Sequence, residues 1–221
     1  MSTGLIEPES DDEILDFQSE ALRFNAVMTG DVFEAVAVTG EPAPIAVMVA
    51  GHPCTIRGAH GELRPRVACV RVNQHQAVPY RVWPSQYTNV FPIAASVGIG
   101  LVAANLMEWV TVDGGELRRT SRKLTLSERG IVALQQRIVH SLTRVVVDPI
   151  LIEEASHHIV REAGLERDWV EDLDGTKPLD GLVADFATFM DEAGRRDALK
   201  DPTTEMAVRR AVRARIRELQ Q

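Results

Sequence analysis

The stretch "ANLMEWVTVDGGELRRTSRKLTLSERG", residues 104–130, holds the transition on which the fold turns. Residues 104–112 read as a strand, Asp113-Gly114-Gly115 as a turn, and 116–126 as the returning strand of a hairpin. Asp and Gly tolerate the positive φ that tight hairpin turns demand. From there the period changes. Thr125 with Glu128 fits a capping box, in which hydroxyl and carboxylate satisfy free amides of a first helical turn. Behind it Ile131, Leu134, Ile138, Leu142 and Val145 recur every three or four residues, an apolar stripe. The chain therefore reads as β before this point and as helix after it.

Working backward, "DVFEAVAV" (31–38) alternates and "GEPAP" (40–44) breaks it. "IAVMVA" (45–50) suits a strand buried on both faces. In "RVACVRV" (66–72), Ala68, Val70 and Val72 share one face and Val67, Cys69 and Arg71 the other. Three prolines within 78–92 exclude a helix and predict an irregular excursion. Five strands between residues 31 and 126 are the inventory of a small, strongly bent barrel.

Working forward, Asp148-Pro149 ends the first long helix, because the residue before a proline is pushed out of the helical region. A second helix is predicted over 150–163, closed by Gly164, and Pro178 opens another. Asp201-Pro202 starts the last, with Val208, Val212 and Ile216 on one stripe that must pack on something. The predicted fold is α+β, in three parts: an acidic arm (1–25), a five-stranded β-barrel (26–125) and a four- or five-helix region (126–221).

Composition narrows the function. With 221 residues, 45% apolar and 25% charged, the chain can bury a sizeable core. Aromatics at 5% argue against a base-stacking platform for single-stranded nucleic acid. The start lacks a basic segment followed by an apolar one, and Cys54 and Cys69 are too few for a disulfide scaffold. A cytoplasmic location follows as the expectation. The uncharged stretch 90–107 contains Pro92, Gly98, Gly100 and Asn105 and reads as a buried strand, not a membrane span. Residues 1–20 carry seven acids and no base, in a chain of net charge −8.

Candidate chemistry centres on four places. His52, Cys54, Cys69 and His75 form in kind a tetrahedral zinc ligand set, although only one arm is tightly spaced; buried thiols with rim histidines are the competing reading. Cys54 as a nucleophile has only His52 and Arg57 near it. Glu154, His158 and Glu162 share a helical face, but no Glu-x-x-His partner appears elsewhere. Arg57, Arg64, Arg66, Arg118 and Arg122 offer a basic surface able to contact phosphates or to protect a sheet edge. No P-loop, G-x-G-x-x-G, G-x-S-x-G or H-E-x-x-H occurs, which argues against the enzyme families that carry them. No cofactor is called for.

The run "TGDVFEAVAV", a variable turn and then "PIAVMVAG" resembles the opening of the SH3-like barrel of the MazF/PemK toxin family over residues 29–72. The resemblance implies an SH3-like fold and RNA cleavage, with Thr55 and Arg57 as acid–base and phosphate-binding residues and His52 as a second base. That family places an arginine ahead of the second strand, where this chain has Glu41 in "GEPAP". The leading expectation is therefore a non-enzymatic interaction protein. Its partner is a protein or nucleic acid rather than a membrane, and a homodimer through the barrel is the expected self-association. The RNA-cleaving enzyme is the alternative.

Overall fold

The computed structural model describes residues 4–20, 26–76, 78–93, 102–120 and 122–221. Seven strands make one sheet: β1 (Gln18–Glu20), β2 (Val32–Val36), β3 (Ile45–Val49), β4 (Arg66–Gln74), β5 (Val90–Ile93), β6 (Val102–Asp113) and β7 (Arg122–Leu126). Their order is β1-β7-β2-β3-β4-β6-β5, antiparallel at every pairing. The two ends of that order do not pair, so the sheet is open. The expected five-stranded SH3-like barrel is thereby corrected; the α+β class stands.

The deciding stretch explains the difference. Asp113 does not start a hairpin turn. Its carboxylate accepts from the backbone N–H of Glu116 and caps the helix α4 (Gly114–Arg119). The chain then crosses the sheet, and β7 pairs with β1 and β2 rather than with β6. The expected capping box shifts as well. Ser127, not Thr125, caps α5 (Glu128–Thr143) by accepting from Gly130, while the Thr125 hydroxyl donates to Asp31 at 2.6 Å.

The acidic segment is part of the fold. α1 (Asp11–Asp16) and β1 bring Ile14 and Phe17 into the core, and Gln18 pairs with Leu126. At the turn before β2, Gly30 takes φ +89, and a Cβ there would lie 2.5 Å from the Leu126 side chain. β2 is bulged between Phe33 and Val36, and Ala35 within it holds φ +53.

Both sheet faces are buried. On one, Ile131 and Leu134 of α5 pack with Val32, Met48, Val70, Leu106, Phe91 and Trp83, the last on the short helix α3 (Trp83–Gln86). On the other, Ile56 of α2 (Pro53–Ile56) and Leu117 of α4 close over Phe33, Val47, Val49, Val67 and Cys69.

The remaining helices are α6 (Pro149–Asp172), α7 (Leu179–Asp191), α8 (Arg195–Ala198) and α9 (Pro202–Leu219). The predicted stop at Gly164 is corrected. α6 runs through it, because Leu165, Trp169 and Val170 beyond it anchor a separate core with Phe186, Met190, Val208, Val212 and Ile216. The predicted stripe of the last helix thus packs on its own chain. Residues 94–101 of the uncharged stretch lie outside the described residues. Among the described residues, no helix is long and apolar enough to cross a membrane.

A polar seam joins the two bodies. Glu162 and Glu166, one turn apart on α6, are both buried. Glu166 meets Arg57 at 2.5 Å and Glu162 meets Arg196 at 2.9 Å, while Arg196 also pairs with Asp191 and donates to the His60 carbonyl.

Candidate interaction surface

The sequence-predicted arginines divide into two groups. Arg57 and Arg122 point inward. Arg57 is held by Glu166, and Arg122 meets Asp31 at 3.1 Å, a fully buried carboxylate that also accepts from Thr125 and the Met28 amide. Burial pushes the Asp31 and Glu166 carboxyls up, opposed by those arginines. Arg64, Arg66 and Arg118 are exposed. Arg64 and Arg66 flank Pro65, whose carbonyl accepts from the Gly114 amide, Arg66 pairs with Asp113 across the strands, and Arg118 lies on α4, which Gly114 begins.

The three residues of the RNA-cleaving alternative lie on and beside α2. The Thr55 hydroxyl donates to the His52 carbonyl at 2.7 Å, and His52 Nδ1 accepts from the Cys54 amide as the cap of α2. Arg57, one residue past α2, turns toward Glu166 instead of toward Thr55 and solvent.

The four zinc candidates do not converge. Cys69 is buried in β4, where burial pushes its thiol up to about 12. Cys54 is exposed, its Sγ 3.7 Å from the Ala155 carbonyl, and its thiol too is raised by partial burial. A raised thiol is a poor nucleophile near neutral pH. His75 stands edge-on to Tyr87 at 5.9 Å. Of the α6 trio, Glu162 is taken by Arg196 and Glu154 is exposed, while burial and the neighbouring charges of Lys200 and His157 hold His158 low. Among the described residues, no three His, Cys, Asp or Glu side chains are grouped to hold a metal ion.

The surface that sequence reasoning missed lies where α5 gives way to α6. The predicted stripe of α5 is buried at Ile131 and Leu134, yet Leu142 is 55% exposed and Val145 56%. The helix ends there, with Arg144 in the left-handed conformation at φ +61. Asp148 then caps α6 through the Ile150 amide, and Ile150 and Leu151 stand 61% and 59% exposed. With Val146 they make the α5–α6 junction an aliphatic corner of the chain, interspersed with exposed Arg144 and Asp148 and followed by exposed Glu153 and Glu154. The signal was present: six aliphatic residues flank Asp148-Pro149 in "VVVDPILI", more than one side of a helix junction can bury.

Comparison with known proteins finds neither a family model nor a curated protein that matches this chain.

Proposed function

We propose that this chain is a non-enzymatic interaction protein that docks a protein partner through the aliphatic corner of Leu142, Val145, Val146, Ile150 and Leu151. The observation that carries the reading is the exposure of these five aliphatic side chains around one helix junction, since soluble proteins seldom leave large apolar patches to water without use. Such a corner exposes on the order of a few hundred Å². A stable interface buries about 800 Å² per partner, so the occupant must extend beyond the corner over its polar rim. We take that occupant to be a different protein that lays an apolar face on the corner. A protein is favoured over nucleic acid because two of the five candidate arginines are neutralised internally and the chain carries −8 overall.

The test pairs two variants: Ile150→Asp with Leu151→Asp, and Arg64→Ala with Arg66→Ala and Arg118→Ala. A partner that co-purifies from the native source is purified and titrated back. Binding should be lost in the first variant and kept in the second. Salt-sensitive binding of a short RNA that is lost only in the arginine variant would replace this reading with a nucleic-acid one. RNA cleavage that disappears in Thr55→Ala would establish the enzyme alternative, and a dimer lost in the first variant would make the corner a self-contact.

A further inference from the structure

Away from the aliphatic corner, a cleft of about 390 Å³ opens between the sheet body and the helical body. Its walls come from β7 and the start of α5 on one side and from α6 and α9 on the other. Guanidinium and aliphatic groups line it, beside the carboxylates of Glu128 and Asp168. Arg161 and Arg167 of α6 and Arg209 and Arg213 of α9 supply four guanidinium groups. Met28, Leu126, Ile131, Val160 and Leu165 supply an aliphatic floor.

The arginines are only partly answered. Arg161 reaches Glu128 at 3.2 Å and Glu205 at 3.7 Å, Arg167 reaches Asp168 at 3.0 Å, and Arg209 reaches Glu205 at 3.0 Å. Arg213 has no carboxylate within ion-pair reach among the described residues. Glu205 is itself shared three ways, since His157 also contacts it at 3.2 Å. Each guanidinium has five N–H donors in a fork that fits a carboxylate or phosphate. Among the described residues, Arg161 and Arg167 each use one nitrogen in a hydrogen bond to these acids, leaving most of the fork donors free. The amino-terminal turn of α5 lines the same cleft, adding the positive end of a sixteen-residue helix.

The geometry points to a binding site for a small amphipathic anion: a phosphate or carboxylate head held by Arg209 and Arg213, with an aliphatic body on the Leu126–Ile131–Leu165 floor. The cleft is of the size that ordinarily accepts a small organic ligand. Among the described residues no aromatic side chain lines it, so they offer a nucleotide base nothing to stack on. The site is independent of the corner proposed above and stands or falls separately.

Titration calorimetry with octyl phosphate, octanoate and inorganic phosphate, each below any micelle-forming concentration, tests the site on the full chain. Octyl phosphate should bind saturably and more tightly than inorganic phosphate by about tenfold or more, because the floor recognises the alkyl chain. Octanoate against octyl phosphate separates a carboxylate from a phosphate source of the same chemistry. Arg213→Ala, an exposed position, should weaken binding about tenfold. Arg213→Lys should recover part of the loss, and Arg215→Ala, outside the cleft, should bind as the wild type does. Three results would overturn the site: no saturable binding of either amphiphile, equal binding of inorganic phosphate, or equal weakening by Arg215→Ala.

Discussion

Arg57 and Glu166 meet at 2.5 Å with both side chains 7% exposed, one following a helical turn beside the sheet and the other in the middle of α6. The contact lies between the two bodies, so it fixes how the sheet and the helical core sit together. Removing one member leaves a buried charge with no answer. Arg57→Ala or Glu166→Ala should lose about 3 kcal/mol or more by denaturant unfolding. The double replacement Arg57→Met with Glu166→Leu should lose much less than the two single losses added. Additive losses would show that the pair is not coupled.

Arg137 presents the opposite case. It is 1% exposed, its guanidinium lies 4.1 Å from the centre of the Trp83 ring, and it donates to the Trp83 carbonyl at 3.3 Å. Among the described residues, its Nε and one terminal nitrogen find no hydrogen-bond acceptor. Burial holds its pKa down to about 10. Most of its contribution is therefore volume and ring contact rather than ion pairing. Arg137→Met should stay within about 1 kcal/mol of wild type, while Arg137→Ala should lose about 3 kcal/mol by leaving a cavity. Comparable losses in the two would instead indicate that the charge is required.

Ala35 holds φ +53 inside β2, a conformation that glycine adopts freely and alanine does not. Ala35→Gly should raise stability by about 0.5 kcal/mol, the relief of the left-handed backbone less the greater unfolded-chain entropy. A fall in melting temperature would mean that the alanine methyl packs usefully.

His52 and His158 give the fold a pH signature. Both imidazoles are held below their ordinary value, His52 by burial and by the charge of His158, His158 by burial and by Lys200. The folded protein thus takes up protons on these groups less readily than the unfolded chain. Their contribution is complete above about pH 6.5 and is lost as the pH falls through the lowered values. Melting temperature should drop as the pH falls below about 6.5, and His158→Gln should flatten that slope. An unchanged slope in the variant would assign the drop to other groups.

Much of the helical region was legible because its signals are local. Asp201 before Pro202 and the stripe of Val208, Val212 and Ile216 act within a few residues and appear as read, whereas Asp148-Pro149, read as the end of the first long helix, instead starts α6 after α5 has ended at Thr143. The sheet was less legible. The strands β2, β3, β4 and β6 alternate or run apolar, but Asp113-Gly114-Gly115 suits both a hairpin turn and a capped helix. Local sequence cannot choose between them; the choice follows from where β7 finds a partner. The same holds for function. Arg57 with Glu166 and Arg122 with Asp31 are pairings across the fold, so arginines that read as a basic surface turned out to be internal counter-ions. Arg161, Arg167, Arg209 and Arg213 lie on two helices, and only their packing brings them to one cleft.

The seating of β1 beside β7 carries a kinetic consequence. Gln18 meets Leu126, and Val32 meets Leu124, so two of the earliest strands wait for one of the last. Closing a loop of that length costs more entropy than closing a hairpin, and folding rates fall as contacts become less local. During synthesis, β3 and β4 can pair soon after they emerge. Phe17 packs against Trp83 and Phe91, which emerge earlier, but the strand that follows it, β1, has no partner until β7 has left the ribosome. Charge favours hydration of an unpaired segment, so the acidic residues around Phe17 suit a strand that must wait for its partner.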